Sequence, residues 1–520
     1  MIFLIHNQAQ KLVKVLKNDR QIQVKNKTCT SALWELAEKY PEEIIGWCEE
    51  CLEEAIAPVN WEKIFHHDLL MASYAVKTTF LPDSIGYVDQ LPFVNINRNV
   101  KYPSWLMSSD TGGIKGKVLL QFQNLFGKIT DLGYLLNSVA KIGQQNGLFC
   151  YSDPGLVNAG SNVKPVALAS SGQMFSFVYQ HYTSSWTSVL LYCLQKFENK
   201  HPVGAYSKAF LKKKLFNATV DLSSFVPIYT EGNRGTTVDV IIPTLARKDY
   251  LLQVLEDLKK QTLPPINVII VEQDPEEGSQ SQLGDILNGD WPYKIIHIFT
   301  HQTGACNARN LALKETQNEW IFFADDDIRL EDTLLEKVMI EASRYKISAL
   351  NLNCRQPGEE TVFQKVKQWG SFGAGTSVVK TSFAQQCRFL EVFEYGFGED
   401  ADFGMQLRNI GCDIMYHPAL QTLHLKAPTG GFRKKPLLPW EQEAILPKPS
   451  PTLMAYALKH YTPEQIKGYK VSLFLKFYSK QPIKNPVRYL HEMRKRWELS
   501  EKWAEKLLTK NNIGKPAHSR

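Results

Sequence analysis

Three consecutive aspartates, Asp325, Asp326 and Asp327, end an apolar run in "IFFADDDIRL". Side chains two apart in an extended chain point the same way, so Asp325 and Asp327 share a face while Asp326 points opposite. At the carboxyl end of a parallel strand, where open α/β sheets place their ligands, such a pair offers hard oxygen ligands for Mg²⁺ or Mn²⁺ carrying a diphosphate. A solvated acidic turn capping the next helix would use the same residues, so the triplet alone does not choose. "GEDADF" adds Glu399 and Asp400 after a glycine-rich loop, and "LHLKAP" adds His424 at the end of another apolar run. Metal ligands at a leaving diphosphate plus a base for an incoming hydroxyl are what metal-assisted group transfer needs. Taken singly, His424 also fits a buried core histidine, and Asp400 an ion pair with Arg408 two helical turns on. The glycines at 396 and 398 suit a ligand-facing loop better than a packed one.

The elements that must position these residues are readable between 237 and 330. "TVDVIIPTL", "NVIIVEQD", "YKIIHIFT" and "EWIFFADDD" are apolar, β-branched runs, and the segments between them, such as "RKDYLLQVLEDLKKQT" and "GACNARNLALKET", have helical periodicity. Continuous apolar strands alternating with helices predict a parallel sheet covered on both faces. The polar "YTEGNRGTT" at 229–237 marks a domain boundary, and the proline-rich "KKPLLPWEQEAILPKPSPT" predicts an extended segment over a domain surface. The N-terminal half shows no clear βαβ signature, yet "DLGYLLNSVAKIGQQNGLFCYSDPGL" (131–156) echoes "DFGMQLRNIGCDIMYHPAL" (402–420). Either the N-terminal half is a second copy of the later domain lacking the acidic pair, or two helix-loop-strand segments match by chance.

A chain of 520 residues needs more than one core, and 44% hydrophobic with 22% charged residues describes a globular protein. The net charge of +7 is modest, and nucleic acid is not expected as a partner. Nine scattered cysteines suit free thiols in a reducing compartment, and "CEEC" at 48–51, with no second pair at ligand spacing, reads as a helix or buried segment. The N-terminal apolar run is too short for a signal-peptide core, and no uncharged run approaches the roughly 20 residues of a membrane span. A cytoplasmic protein with at most peripheral membrane contact is expected. The composition that could make such contact lies in the tail, where Lys484, Arg488, Arg494, Lys495, Arg496, Lys502 and Lys506 accompany Tyr489, Leu490, Trp497 and Trp503 in a helical stretch. The alternative is that the tail packs its apolar stripe on the protein and leaves the cations in water.

"VDVIIPTLARKDYLLQVLEDLKKQT", "VIIVEQD", "GACNARNLAL", "FFADDDIRL", "FGAGTSVVKTSF", "GFGEDADFGMQLRNIG" and "LHLKAP" occur in the order, and near the spacing, of the family-2 glycosyltransferases with the GT-A fold, which residues 237–427 resemble. "WGSFGAGTSVVK" and "YGFGEDADFGMQL" also resemble the acceptor-side segment of β-1,4-galactosyltransferases and chondroitin-type polymerases. The resemblance implies a Rossmann-like nucleotide-sugar-binding (GT-A) domain over 237–430; from the echo and composition, a second α/β domain over 1–228, non-catalytic and a degenerate copy of it if the echo is real, and a proline-rich wrap with a basic helical region over 431–520 are expected. It implies that Pro243, Thr244 and Arg247 lie along the nucleotide, with Glu272 and Asp274 at the nucleoside end, Arg309 and Asn310 near the diphosphate, and Asp325 and Asp326 at the nucleotide sugar. It further implies Asp325, Asp327 and His424 as ligands of Mn²⁺ or Mg²⁺, Asp400 as catalytic base and Glu399 as the residue orienting the acceptor. Glu272 departs from the aspartate more usual there, which leaves base recognition open.

The activity implied is inverting transfer from a nucleoside-diphosphate sugar, a UDP-sugar above all, to a hydroxyl of a glycan or lipid-linked glycan, in polysaccharide or surface glycan synthesis at the inner face of the cytoplasmic membrane. A non-catalytic nucleotide-sugar-binding scaffold is an alternative. A nucleotidyltransferase is a further one, against which "IPTLARKDY" lacks the glycine-rich loop that holds a triphosphate.

Overall fold

The structure, a computed structural model, describes residues 1–158, 168–229, 235–428 and 436–511 of the chain. The chain forms two compact units, one of Met1–Pro227 with Tyr461–Lys480 and one of Ile228–His460 with Gln481–Arg520. Residues 431–520, expected as one region, are therefore divided between the two. Most of the expected boundary segment 229–237, and the start of the proline-rich segment, lie outside the described residues.

The first unit holds an eight-stranded sheet of β1 (Ile2–Asn7), β2 (Lys11–Lys17), β3 (Arg20–Ile22), β4 (Ile44–Glu49), β5 (Leu70–Tyr74), β6 (Tyr102–Pro103), β7 (Thr111–Lys115) and β8 (Phe149–Ser152), in the order β3-β2-β1-β4-β7-β5-β8-β6. The second unit holds β9 (Val238–Thr244), β10 (Asn267–Gln273), β11 (Lys294–Thr300), β12 (Trp320–Ala324), β13 (Ile328–Leu330), β14 (Ala349–Arg355), β15 (Lys367–Gln368), β16 (Thr376–Lys380) and β17 (Met415–His424). Its order is β11-β10-β9-β12-β16-β14-β17-β13, with β15 beside β17. The four strands expected from the apolar runs lie adjacent and parallel, as β11, β10, β9 and β12. Beyond β12 the sheet turns antiparallel through β16, and the period of the sequence does not announce this.

The helices are amphipathic and bury one stripe each. Leu334–Tyr345 covers Leu334, Leu335, Val338, Met339, Ala342 and Tyr345, and stops at Lys346, whose φ of 48° is left-handed. Under the carboxyl end of β12, Phe323 meets Phe372, Phe389 and Phe403 at 5.8, 5.9 and 5.7 Å, and Phe389 stacks on Phe403 at 4.2 Å. This aromatic cluster fixes the helix Glu399–Asn409 beside the strand that ends in the aspartates. Gly404 permits the approach, because a Cβ there would stand 2.9 Å from Phe372.

The two sheets share a pattern. In chain order, β1, β4, β5, β6, β7 and β8 pair as β9, β12, β14, β15, β16 and β17 do: β1–β4 and β9–β12 are parallel, β4–β7 and β12–β16 antiparallel, and β5–β7 and β14–β16 antiparallel. Likewise β5–β8 and β14–β17 are parallel, and β6–β8 and β15–β17 antiparallel. The echo at 131–156 falls on equivalent elements. The helices Leu132–Gln145 and Glu399–Asn409 both run out at a left-handed glycine, Gly147 (φ 102°) and Gly411 (φ 88°), before β8 and β17. The difference lies at the other edge, where the parallel β10 and β11 are replaced by the antiparallel hairpin β2–β3. "CEEC" is the buried end of β4 running into a 3₁₀ turn, and neither of its cysteines is in a disulfide.

The tail helix Pro486–Lys510, capped by the Asn485 side chain, belongs to the second unit and buries Tyr489, Met493, Trp497, Ser500, Ala504 and Leu508 at helical spacing. Trp503 donates from Nε1 to Glu443 at 2.8 Å, and the Ser500 hydroxyl donates to the Pro449 carbonyl at 2.8 Å. Tyr489 and Trp497, which a membrane-lying helix would turn to the headgroups, are covered by protein, as in the packed alternative. No helix among the described residues is long and apolar enough to cross a membrane. Trp497→Ala is expected to cost about 3–5 kcal/mol of stability in the second unit, as for other buried tryptophans, whereas Lys495→Gln on the exposed face should stay within about 0.5 kcal/mol. Denaturant unfolding of the two variants checks this, and similar losses would contradict the packing.

Candidate active site

A cavity of about 520 Å³ opens at the carboxyl ends of β9 and β12. The tip of β9 contributes Pro243 and Thr244, and Arg247 stands at the cap of the helix Lys248–Lys259. The helix Ala305–Lys314 supplies Arg309, the N-terminal turn of Glu399–Asn409 supplies Glu399 and Asp400, and the end of β17 supplies His424. Asp325, Asp326 and Asp327 lie in a turn just past β12, not in the strand itself. Their side chains still diverge as the alternation predicts.

Asp326 turns inward. Its Oδ2 accepts from the Thr244 hydroxyl at 2.7 Å and its Oδ1 from Arg247 at 2.8 Å. Burial pushes its carboxyl up to about 6 despite that arginine. Asp325 and Asp327 face His424, and one ligand atom from each of the three lies within 4.8 Å of the others. Burial would raise Asp327, but hydrogen bonds from His424 and the Ala427 N–H outweigh it and hold its carboxyl below the usual value. His424, 3.2 Å from Asp327 Oδ1, is pushed up to about 10 by that carboxylate and then by Cys354. Two carboxylates and one imidazole at this separation, on the wall of an open cavity, fit a hard divalent cation. Among the described residues this is the one such cluster.

Arg309 is buried and donates to Asp325 Oδ1 at 3.2 Å. Burial disfavours its charge, but Asp325, Asp400 and Glu399 outweigh burial and keep it protonated. Asp400 is pushed up to about 7, chiefly by burial, with Arg309 opposing and Glu399 reinforcing the rise. Its Oδ1, like Arg309 Nε, is buried without a hydrogen-bond partner among the described residues. Orphaned polar atoms at a cavity wall are where a ligand's own groups belong. Burial also raises Glu399. Arg408, the alternative partner for Asp400, donates instead to the carbonyls of Trp369 and Ser371.

Three expected site residues do not reach the cavity. Glu272 is committed to Gln282 N–H at 2.9 Å and His297 at 2.9 Å, Asp274 caps a turn through Glu276 N–H at 3.0 Å, and Asn310 clasps the backbone N–H and carbonyl of Phe389 at 3.0 and 2.7 Å. Gln273, between the first two, lines the cavity in their place and accepts from Gly304 N–H at 2.6 Å. Gly304, Ala305, Gly375, Tyr395 and Lys426 are further lining residues that sequence reasoning missed. The two glycines carried a readable signal in "TGACNARN" and "FGAGTS". A Cβ on Gly304 would collide with the Glu394 carboxylate, which caps the helix Ala305–Lys314 through the Cys306 and Asn307 N–H groups at 3.2 and 3.0 Å. One on Gly375 would collide with Asp325.

Residues 239–394 match the profile of Glycosyl transferase family 2. An uncharacterized glycosyltransferase of Haemophilus influenzae is 29% identical over 102 residues, 20% of this chain and 33% of that protein. The poly(ribitol-phosphate) beta-N-acetylglucosaminyltransferase TarS of Staphylococcus aureus is 28% identical over 89 residues, 17% of this chain and 16% of its own length. The putative teichuronic acid biosynthesis glycosyltransferase TuaG of Bacillus subtilis is 28% identical over 100 residues, 19% of this chain and 39% of its own. The chain thus spans well under half the length of these relatives. Among solved structures, S. aureus TarS 1–349 in complex with UDP-GlcNAc aligns over 52% of this chain and 92% of its own, with 15% identity and a TM-score of 0.35. The aspartate turn lies inside the segment that matches Glycosyl transferase family 2, and the Glu-Asp pair and the histidine lie beyond it on the same cavity, so the likeness to that family is carried by the second unit.

Proposed function

We propose that the second unit is an inverting, metal-dependent transferase that moves a sugar from a nucleoside-diphosphate sugar, most simply a UDP-sugar, to a hydroxyl of a glycan or lipid-linked glycan in the cytoplasm or at the inner face of the membrane. The observation that carries this reading is Asp400: a buried carboxylate with a free oxygen and a pKa near neutrality, on the same cavity as Asp325, Asp327 and His424. A base works best with a pKa near the working pH. Asp400 takes the acceptor hydroxyl proton as the acceptor oxygen bonds to the anomeric carbon. The bond from that carbon to the diphosphate oxygen breaks on the opposite face, and the nucleoside diphosphate leaves with the electron pair. Glu399 orients the acceptor, Arg309 ties the acceptor-side carboxylates to Asp325, and Arg247 fixes Asp326 against the tip of β9. Asp325, Asp327 and His424 would hold Mn²⁺ or Mg²⁺, which supplies positive charge to the departing diphosphate. Two of the named relatives, a poly(ribitol-phosphate) beta-N-acetylglucosaminyltransferase and a putative teichuronic acid biosynthesis glycosyltransferase, support an acceptor hydroxyl on a polymer.

The first unit is proposed to be a silent copy of the same scaffold. Its Glu49 N–H bonds the Asp110 carbonyl at 2.7 Å as the Asp325 N–H bonds the Gly375 carbonyl at 3.1 Å, which puts Glu49 in the place of Asp325. There Glu49 is buried and paired with His6 at 3.1 Å and with Gln8 N–H at 2.8 Å. Asp110, buried and pushed up to about 6 by its burial, stands where Gly375 leaves space.

Incubation with Mn²⁺ and a panel of nucleotide sugars, reading nucleoside diphosphate release, tests the reaction class. Release is expected to vanish with excess chelator, and Mn²⁺ titrated by calorimetry should bind the parent but not Asp327→Ala. Asp327→Asn, which keeps the shape, should weaken Mn²⁺ binding too, and full activity in chelator would remove the metal from the reading. Asp400→Asn should keep donor binding and lose about 10²- to 10⁴-fold in transfer, the usual worth of a general base. Because folding raises its carboxyl from 3.8 to about 7, the parent loses stability as pH rises between those values. The asparagine variant, with no charge to bury, should therefore melt above the parent at pH 8, whereas a lower melting temperature together with lost donor binding would make Asp400 a structural residue.

A further inference from the structure

We infer that residues 203–216 of the first unit form a contact surface for anionic lipid bilayers. Between Asn199 and Val220 the chain carries Lys200, Lys208, Lys212, Lys213 and Lys214 and no carboxylate. Lys200 is paired with Glu198 at 2.8 Å, and Lys214 donates to the Tyr182 carbonyl at 3.1 Å while covering the Tyr179 ring at 4.0 Å. Lys208, Lys212 and Lys213 are exposed. Set among them are apolar side chains that folding leaves in water: Leu211 is 86% exposed, Val203 51%, Phe210 41% and Phe216 39%.

The corner is held in place. Phe210 packs on Tyr179 and Tyr206 at 4.9 and 5.1 Å, and the turn is pinned to the helix Ser171–His181 by Leu215 N–H to the Gln180 carbonyl at 2.8 Å and Gln180 Nε2 to the Lys213 carbonyl at 3.1 Å. Leu211 therefore stands out from a fixed base with a lysine on either flank, which lowers the ordering cost of docking. Nucleic acid or an acidic protein would use the lysines but has no use for an isolated, almost fully exposed leucine. A bilayer with anionic headgroups uses both, taking Leu211 and the ring edges into the interface while the ammonium groups meet phosphates. The tail helix has cations of its own and exposes Val487 and Leu490, but its Tyr489, Met493 and Trp497 are buried, so it offers no exposed aromatic cluster beside its charges as Phe210 and Phe216 do.

The test is flotation of the full chain with vesicles of phosphatidylglycerol and phosphatidylcholine, against phosphatidylcholine alone, at low salt. It needs no substrate, so its outcome is independent of the transferase reading. The parent is expected to float with the anionic vesicles only. Lys208→Glu with Lys212→Glu and Lys213→Glu should weaken partitioning on the order of a hundredfold, and Leu211→Asp alone by about tenfold or more. Lys495→Glu with Lys502→Glu and Lys506→Glu in the tail should leave it unchanged, and equal thermal melts establish that all variants fold. A parent that stays unbound, binding lost through the tail variant and kept by the 203–216 variants, or binding that needs the lysines but ignores Leu211→Asp, as a general polyanion site would, each overturns the inference.

Discussion

The structure of the second unit is organised around one electrostatic constraint, the holding of five carboxylates, those of Asp325, Asp326, Asp327, Glu399 and Asp400, around a single cavity. Like charges this close in a partly desolvated site are costly unless each finds compensation. Asp326 finds it in Thr244 and Arg247, Asp327 in His424 and a backbone N–H, and Asp325 in Arg309. Neighbouring features follow from these pairings. Gly375 must lack a side chain to admit Asp325, Thr244 must end β9 where it can reach Asp326, and the phenylalanine cluster must fix the helix that carries Asp400.

Much of this was legible because its causes are local. Apolar runs of four to seven residues at the sheet centre, an aspartate turn after one of them, and a glycine loop before Glu399 and Asp400 each leave a mark in the order of residues. What escaped was decided by tertiary contact. Glu272 and Gln273 are both polar residues at a strand end, and only the sheet's twist and neighbours determine that Gln273 meets the cavity while Glu272 turns to His297 and Gln282. Asn310 belongs to a helix whose outer side is covered by Phe389, a contact 79 residues distant. In the tail, helical periodicity shows a stripe of aromatics but not what covers it. The first unit was opaque because its strands are short and mixed in sense, and because its hairpin β2–β3 breaks the βαβ rhythm by which the second unit is recognised.

The two sheets show how one scaffold is opened or closed. Both keep the same six strands with the same partners, so the polypeptide path at the strand ends is held in common. In the second unit a proline stands at position 243 and a glycine at 375, and the space between them is cavity. The first unit has His6 in contact with Glu49 at 3.1 Å and a buried carboxyl at Asp110, which lies opposite Glu49. Two parallel strands extend the open site, while an antiparallel hairpin ends the closed one. Shared topology by itself carries no activity, which depends on the side chains placed at the strand ends.

The compensation in the open unit is incomplete, and that has a direction. Arg309 faces three carboxylates and has an unpartnered Nε, and Asp400 has an unpartnered Oδ1. In the closed unit the corresponding Glu49 has its partners in His6 and Gln8. An arrangement that is under-compensated when empty gains most from a ligand that brings the missing charges, a cation toward Asp325 and Asp327 and a hydroxyl toward Asp400. The same burial that makes Asp400 expensive to ionise makes it basic enough to accept a proton near neutral pH. Burial of Asp400 is therefore a cost to folding at this cavity, and the first unit carries a cost of the same kind at Asp110, whose Oδ1 is buried without a hydrogen-bond partner among the described residues.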